Sequence, residues 1–460
     1  MEKFVQFITN LSDQLWSTWV LVALIGTGII VFFATKVIQR KTGLAIKKTL
    51  RAYSRSERAK EVDEGEGDIS AIQALTTALA STIGVGNIAG VGTAIAMGGP
   101  GAVFWMWVSA FFGMGTKYAE IVLSQTFREK DENGNWRGGP MYVYKNGLNA
   151  KWAGYLFAIS MVVVSLVSLN MMQVSSAATS LETTFKIPPI ATAIVLTFFT
   201  WLVIFGGIKR LGRVTEIFVP IMAIIYLIGG LIVLIMNITE IPTAFALIFK
   251  SAFSGQAAVG GFAGATILQA ARFGVARGLL SNEAGCGTAP MAHASAKVKH
   301  PAEQGILGIS EVFFDTFVVC TFTALVILVT GVWQTGESGI TLASHAFSDN
   351  IGFIGEAVVS LSVTLFAYST LLSGSWYGET SATFVFGTKV IKPYRVLALI
   401  LCFAGVFVGS DFVFLLTDVA NGFAVLINVV SVLLMLKVVI NKTNEYFSNP
   451  EYALSKNKSK

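Results

Sequence analysis

Charged residues are scarce in this chain, which has 27 Asp and Glu and 33 Lys and Arg among 460 residues. Hydrophobic residues make up 54% of the sequence, and the mean hydropathy is +0.67. So little charge excludes a water-soluble globular protein, because such a fold needs a largely polar surface. The formal net charge of +6 is therefore interpreted as a determinant of membrane topology, and nucleic acid is not an expected partner.

Other absences narrow the function. The three cysteines form neither a CxxC pair nor a disulfide framework, so Cys286, Cys320 and Cys402 are predicted to be packing residues. The three histidines are expected in loops, without the spacing of a metal or nucleophile site. The phosphate-binding motif GxxxxGK(S/T) is missing, which excludes ATP as the driving force. The sequence therefore predicts a protein that is not an enzyme and has no organic cofactor.

Long apolar segments are abundant. A stretch of about 20 apolar residues can cross the roughly 30 Å hydrocarbon core of a bilayer, and eleven such stretches are predicted. Their approximate bounds are 14–36, 68–97, 101–126, 152–178, 189–207, 214–237, 256–279, 303–331, 351–386, 394–409 and 411–437. The chain is accordingly predicted to be an all-α polytopic protein of the cell membrane, in contact with the lipid bilayer.

Basic residues are distributed among the loops in a way that sets the orientation. Cytoplasmic loops retain Lys and Arg, and the segment after the first helix carries nine of them between residues 36 and 60. If that segment is cytoplasmic, the basic residues near 128–137, 209–213, 297–299 and 389–395 also lie inside. The amino terminus is therefore predicted outside and the carboxyl terminus inside.

Glycine-rich interruptions of the apolar segments point to a binding site. The clearest is at residues 81–90, with glycines at 84, 86 and 90. Non-helical backbone at membrane depth persists only where it lines a cavity, because hydrocarbon cannot hydrogen-bond a freed amide or carbonyl. In transporters built from inverted repeats, such broken helices hold the substrate and its coupling ion. A matching break is predicted within residues 259–266.

The ten helices after the first one divide into two halves that run through the membrane in opposite senses. That relation is typical of an inverted repeat. The predicted organisation is an extra transmembrane helix and basic linker (1–67), a first five-helix repeat (68–237), an outer re-entrant or surface helix (238–255), a second five-helix repeat (256–437) and a cytoplasmic tail (438–460).

Residues 98–113, GGPGAVFWMWVSAFFG, resemble the signature of the alanine or glycine:cation symporter family, also called sodium:alanine symporters, of the amino acid–polyamine–organocation superfamily. The family's Ser-Asn-Glu-Ala-Gly-x-Gly loop appears at residues 281–287. The resemblance implies the leucine-transporter fold, sodium as coupling ion, and alanine or glycine as substrate. A proton-coupled amino acid transporter of the same fold is the first alternative, and a channel is the second.

Substrate-binding residues are predicted in three segments. Freed amides at the start of a half-helix, where its dipole is positive, suit a carboxylate. In the first break the candidates are Thr82, Ile83, Gly84, Val85, Gly86 and Asn87. On the fourth apolar segment they are Asn170 and Gln173, for which an interhelical hydrogen bond is the alternative. Around the second break, where carbonyls would accept from the substrate ammonium and helix packing is the alternative, they are Gly264, Thr266, Gln269 and Phe273.

The resemblance also implies a sodium site between the first broken helix and the eighth core helix. Its oxygen ligands would come from Ala80, Ile83, Ala367, Ser369, Thr370 and Ser373. Ser and Thr in membrane helices often bond their own backbone instead. Asp315 is a further candidate, as a cation ligand or proton acceptor, because an acidic side chain within the membrane is costly and usually has a functional role. A salt bridge from Asp315 to Arg272 or Arg277 is the alternative, and Lys117 and Glu120 are predicted to form a structural pair.

Overall fold

The computed structural model describes residues 8, 10–11, 14–15, 18–52, 65–253, 267–407 and 410–449. Helices make up most of this part of the chain, and each of its strands is two residues long. A helix satisfies its own backbone hydrogen bonds, as a segment surrounded by hydrocarbon must. The predicted all-α class is therefore confirmed.

The first part of the chain, up to residue 253, contains α-helices joined in places by π-helical or 3-10 turns. The α-helices are α1 (Thr18–Ala34), α2 (Thr42–Ala52), α3 (Ala71–Thr82), α4 (Val91–Gly98), α5 (Ala102–Phe127), α6 (Pro140–Tyr142), α7 (Lys151–Leu166), α8 (Met172–Phe185), α9 (Pro189–Ile204), α10 (Gly207–Met236) and α11 (Ile241–Phe253). The π-helical turns are Gly86–Gly90, Val143–Gly147 and Val167–Met171, and the 3-10 turns are Ile38–Lys41 and Ile238–Glu240.

The second part begins at residue 267 and has the same character. Its α-helices are α12 (Ile267–Asn282), α13 (Ala289–His293), α14 (Pro301–Val312), α15 (Thr321–Val329), α16 (Gly339–Ile351), α17 (Phe353–Phe386), α18 (Ile391–Ala404), α19 (Ser410–Leu434) and α20 (Leu436–Ser448). A π-helical turn, Phe313–Cys320, joins α14 to α15, and 3-10 turns are formed by Val332–Gln334 and Thr388–Val390. The strands of the two parts are β1 (Ile69–Ser70), β2 (Glu129–Lys130), β3 (Trp136–Arg137) and β4 (Ala296–Lys297).

Several of these helical stretches are long and apolar enough to cross a membrane. Among the described residues, four do so as continuous stretches, namely Lys151–Phe185, Gly207–Met236, Pro301–Val329 and Phe353–Phe386. Three bent pairs each have the composition of one broken span, namely Trp19–Ala34 with Ile38–Arg51, Ala71–Thr82 with Gly86–Gly98, and Val419–Leu434 with Leu436–Ser448. The count of eleven spans and their orientation stay predictions.

Two long helices, α5 and α17, organise the packing. Helix α17 contacts α3, α7, α8 and α10, whereas α5 contacts α1, α12 and α14. Glycines let α12 approach α5 closely, since a Cβ atom at Gly274 would lie 2.2 Å from the Ala102 carbonyl oxygen. The broken helix formed by α3 and α4 contacts both groups, because α3 packs on α17 and α4 packs on α12.

The start of α3 and the end of α13 lie together at one end of the molecule. A capping box begins α3, in which the Ser70 hydroxyl accepts from the Gln73 amide and the Gln73 side chain accepts from the Ser70 amide. Just before it, β1 pairs in parallel with β4, and the Asp68 amide donates to the Ser295 carbonyl at 2.8 Å. Arg128 ties the end of α5 to the same place, donating to the Ala296 carbonyl at 2.8 Å. This arrangement places three of the predicted cytoplasmic loops side by side.

Helix α11 forms in the segment predicted to be a re-entrant or surface helix. It packs on the start of α5, where the rings of Phe104 and Phe253 lie 4.9 Å apart and Trp105 Nε1 donates to the Ala252 carbonyl at 3.4 Å. From Phe104 to the end of α5 at Phe127 the helix extends about 36 Å, at 1.5 Å per residue, which separates this contact from the β1–β4 ladder. The location of α11 at the outer surface stays a prediction.

Candidate functional site

A cavity of about 230 Å³ lies at the carboxyl end of α3. Its described lining combines hydroxyl, amide and carboxylate groups with apolar side chains, as expected where a small amphiphilic molecule binds. The lining residues are Ser81, Thr82, Gly84, Val85, Gly86, Val164, Ser168, Leu169, Met172, Gln173, Leu280, Ser281, Glu283, Cys286, Thr288, Thr370 and Asn421.

The first predicted break is present and opens into this cavity. The axis bends by 49° between the stretches Ala71–Thr82 and Gly86–Gly98. The Asn87 side chain stabilises the bend by accepting from the Gly84 amide at 2.8 Å. Within the described residues, the amides of Val85 and Gly86 donate to no acceptor, and both residues line the cavity. These amides begin a half-helix and therefore favour an anionic group.

A second break, at a place in the chain where none was predicted, also lines the cavity. Helix α12 ends at Asn282 and α13 begins at Ala289, so residues 283–288 interrupt the helix. Positive φ angles occur at Glu283 (53°), Gly285 (91°) and Gly287 (78°). Left-handed backbone ends a helix and suits glycine. The predicted region 259–266, with Gly264 and Thr266, lies outside the described residues.

Gln269 and Phe273 are not part of the described cavity lining. Helix α12 begins at Ile267 and holds both residues away from the described lining. Phe273 lies beside Gly98, at the far end of α4. Gln269 precedes the lining residue Ser281 by twelve positions on α12, which is about 18 Å along a helix.

The polar pair on the fourth apolar segment is divided between two environments. Gln173 lines the cavity, where its Nε2 donates to the Ser168 carbonyl at 3.1 Å and its buried Oε1 has no hydrogen-bond partner among the described residues. Asn170 lies away from the described lining, and its Nδ2 donates to the Ala398 carbonyl of α18 at 3.0 Å. The alternative of an interhelical hydrogen bond therefore describes Asn170, and Gln173 remains a candidate for substrate binding.

The Glu283 carboxylate faces the cavity from the second break. It accepts from the Ser81 hydroxyl at 2.7 Å and from the Thr288 hydroxyl at 2.5 Å. The side chain therefore connects the end of α3 to both sides of the second break. The sequence analysis identified residues 281–287 as a family motif but gave Glu283 and Thr288 no role in the site, and it predicted Cys286 to be a packing residue.

One of the three α17 hydroxyls predicted to bind sodium, that of Thr370, approaches the end of α3. Thr370 Oγ1 donates to the Ala80 carbonyl at 3.4 Å and to the Phe366 carbonyl of its own helix at 3.0 Å. Ser369 and Ser373 donate to carbonyls one turn earlier on α17. The remaining predicted ligands, also buried, are Ile83 and Ala367. Of the three hydroxyls, Thr370 is the one that contacts the first broken helix.

Asp315 lies fully buried in the π-helical turn after α14. Asn87 Nδ2 donates to its Oδ1 at 2.6 Å, and the Ser281 hydroxyl lies 3.1 and 3.2 Å from its two carboxylate oxygens. Within the described residues, its carboxylate has no ion pair with Arg272 or Arg277. Asp315 therefore joins the first break to the end of α12 through neutral partners.

A cluster of buried charged side chains lies beside the second break. Lys117 Nζ is 3.1 Å from Glu311 Oε1 and 3.8 Å from Glu120 Oε1, which confirms the predicted pairing of Lys117 with Glu120. Asn428 donates to Glu120 Oε2 at 2.7 Å. The expectation that the histidines lie in loops is wrong for His345, which lies within α16, and for His293, which ends α13 and sits 3.1 Å from Glu311 Oε2.

Comparison with known proteins agrees with this geometry. The model of the sodium:alanine symporter family matches residues 1–460. The sodium/alanine symporter AgcS of Methanococcus maripaludis is 41% identical over 452 residues, or 96% of this chain and 97% of that protein. An uncharacterized transporter of Bacillus subtilis, YflA, is 40% identical over 462 residues, or 99% of this chain and 96% of that protein.

Among solved structures, that of MhsT in complex with L-phenylalanine is similar with a TM-score of 0.61 and 12% sequence identity. The alignment covers 82% of this chain and 93% of that chain. At this level of identity the likeness shows the fold alone, and the predicted leucine-transporter fold is confirmed.

Proposed function

The chain belongs to the sodium:alanine symporter family, and from that premise we propose that it couples inward sodium flow to the uptake of alanine and glycine by alternating access. Members of the family are transporters, so the protein is not an enzyme. The observation that carries the proposal is the meeting of two helix breaks at one cavity. Unpaired backbone groups at such breaks bind substrate and coupling ion in transporters of this architecture.

In this proposal the first break binds the substrate carboxylate. The amides of Val85 and Gly86 supply hydrogen-bond donors, and the half-helix that follows contributes its positive dipole end. Gln173 supplies a further polar group from the opposite wall. Apolar side chains such as Leu169 and Met172 surround the space left for a methyl group.

Sodium would bind between α3 and α17. The Ala80 carbonyl and the Thr370 hydroxyl supply the pair of oxygens that the structure brings within 3.4 Å of each other. Carbonyls of Ile83 and Ala367 and hydroxyls of Ser369 and Ser373 complete the proposed set. Hard cations favour neutral and anionic oxygens of this kind.

Proton coupling is the second candidate, and the surroundings of Asp315 favour it. A fully buried carboxylate with amide and hydroxyl partners is costly while ionised, so proton or cation binding there would stabilise it. In the sodium mechanism, the same carboxylate would serve as a cation ligand.

We further propose that the chain spans the cell membrane eleven times, with the amino terminus outside.

Alanine uptake into proteoliposomes containing the purified protein tests this function. An inward sodium gradient at equal pH on both sides should drive labelled alanine above its equilibrium distribution, and potassium in place of sodium should abolish the accumulation. Unlabelled glycine should reduce the uptake of labelled alanine by competing for the same site. Accumulation driven by a proton gradient in sodium-free buffer would support the second candidate, and no uptake under either gradient would contradict both.

A further inference from the structure

Glu283 is the one formally charged side chain in the described lining of the cavity. Its backbone is held in the left-handed region, with φ at 53°, by the turn that ends α12. A non-glycine residue rarely occupies this region, because its Cβ crowds the backbone. Glu283 lines the same cavity as Val85 and Gly86, whose backbone amides are free of acceptors among the described residues.

The negative charge of Glu283 is not neutralised by an ion pair within the described residues. The buried cation Lys117 interacts electrostatically with Glu283, but its Nζ pairs with Glu311 at 3.1 Å and with Glu120 at 3.8 Å. The positive charge of Lys117 is thus shared between two carboxylates other than that of Glu283. A buried carboxylate without a cation is strongly disfavoured, so this site is suited to a cation that enters from the cavity.

The carboxylate also has hydrogen-bonding capacity left for such a cation. An ionised carboxylate offers about four acceptor positions, and the hydroxyls of Ser81 and Thr288 use one on each oxygen. The opposite requirement, donors for an anion, is met by the amides of Val85 and Gly86 in the same cavity. The cavity therefore has a negative and a positive side, as a zwitterion requires.

We propose that the Glu283 carboxylate binds the α-ammonium group of the substrate and so restricts the cavity to amino acids. This inference rests on the proposed function, and it assigns to a side chain the ammonium contact that backbone carbonyls would otherwise supply. A carboxylic acid of the same shape that lacks the ammonium, such as lactate or propionate, leaves Glu283 uncompensated and is rejected.

Calorimetric titration of the purified protein at saturating sodium, with L-alanine and with L-lactate, tests this assignment. The wild-type protein should bind alanine at least tenfold more tightly than lactate. Glu283→Gln removes the charge at nearly constant size and should weaken alanine binding about tenfold to a hundredfold, the range expected for a charge-assisted hydrogen bond. Lactate affinity should stay constant or rise, so the alanine preference should fall to within about threefold.

Glu120→Gln is the matched control, because Glu120 belongs to the neighbouring buried cluster but is not among the described lining residues. It should retain the wild-type preference for alanine. If Glu283→Gln does not yield monodisperse protein, Glu283→Asp withdraws the carboxylate by one methylene and should weaken alanine binding at least about fivefold with lactate binding unchanged.

The outcomes separate this inference from the function on which it rests. A wild-type protein that binds no alanine in sodium overturns the proposed function itself. Alanine binding that survives in Glu283→Gln or Glu283→Asp overturns the ammonium contact alone. A higher sodium requirement in Glu283→Gln with an unchanged preference for alanine over lactate would instead make Glu283 a ligand of the alkali cation, and would also overturn the inference.

Discussion

At the scale of single residues, the two glycines of the first break differ in what surrounds them. A Cβ atom at Gly84 would lie 2.9 Å from Thr370 Oγ1 and 3.1 Å from the Ser81 carbonyl oxygen. At Gly86 the closest described atom to such a Cβ is 3.9 Å away, on Ser281. Neither glycine has a positive φ angle, so close approach rather than backbone conformation is what requires glycine at position 84.

Gly84→Ala should therefore impair sodium binding more than Gly86→Ala does. The added methyl group displaces the Thr370 hydroxyl, and overpacking of this kind costs about 1–3 kcal/mol. We expect the sodium concentration for half-maximal alanine uptake to rise about tenfold in Gly84→Ala and to change less than about twofold in Gly86→Ala. Equal sodium requirements in the two variants would remove Thr370 from the proposed sodium site.

At the scale of helices and loops, the sequence located the first break and did not predict the one at residues 283–288. The first break was predictable because three glycines and polar residues interrupt a single apolar segment. Residues 259–266 have a similar composition, whereas the described break at 283–288 combines one acidic residue with two glycines. Composition does not reveal a positive φ angle, so the turn at Glu283, Gly285 and Gly287 became evident only in three dimensions.

The contacts of Glu311 and Asp315 show a related limit. An α-helix would place positions i and i+4 on one face. The π-helical turn Phe313–Cys320 begins between these residues, and their carboxylates enter different networks, one with Lys117 and the other with Asn87. A π-helical insertion has no reliable sequence signature, which is why the separate surroundings of the two acids were not predicted.

The buried Lys117 should be essential to the junction of α5 and α14. Lys117→Met leaves Glu120 without its cation and Glu311 with only His293, and breaking a buried pair typically costs about 3–5 kcal/mol. Chemical unfolding in detergent micelles should show a loss of that size.

Lys145→Met provides the comparison, since the Lys145–Glu129 pair is about one-third exposed and surface pairs contribute at most about 1 kcal/mol. A similar loss in both variants would mean that burial does not determine the strength of the Lys117 pair.

At the scale of the whole molecule, the proposed function predicts which amino acids bind in the cavity. Alanine and glycine should compete for one site, whereas leucine and phenylalanine should compete about ten- to a hundredfold less well, because a larger side chain would overpack a site formed around a methyl group at a cost of about 1–3 kcal/mol. Competition against labelled alanine in proteoliposomes measures this order. Comparable inhibition by leucine and alanine would show that the lining between Leu169 and Met172 yields to larger side chains.

The class and family of the molecule were accessible from sequence, whereas the assembly of its cavity was not. Low charge and repeated apolar stretches predict a polytopic helical protein, and residues 98–113 and 281–287 identify the family. The contact of Glu283 with Ser81 joins positions 202 residues apart. Such a contact depends on how the two halves of the chain pack against each other. Local sequence patterns in a single sequence do not predict that packing.

The parallel pairing of β1 with β4 has a consequence for kinetics. It links residues 69 and 296, one from each predicted repeat, beside the ends of both broken helices. The helix ends cannot separate there without releasing the amide hydrogens of Asp68 and Ile69 from the Ser295 carbonyl. Deuterium uptake by those two amides requires these hydrogen bonds to break, so its rate sets a lower limit on the frequency of opening at this end.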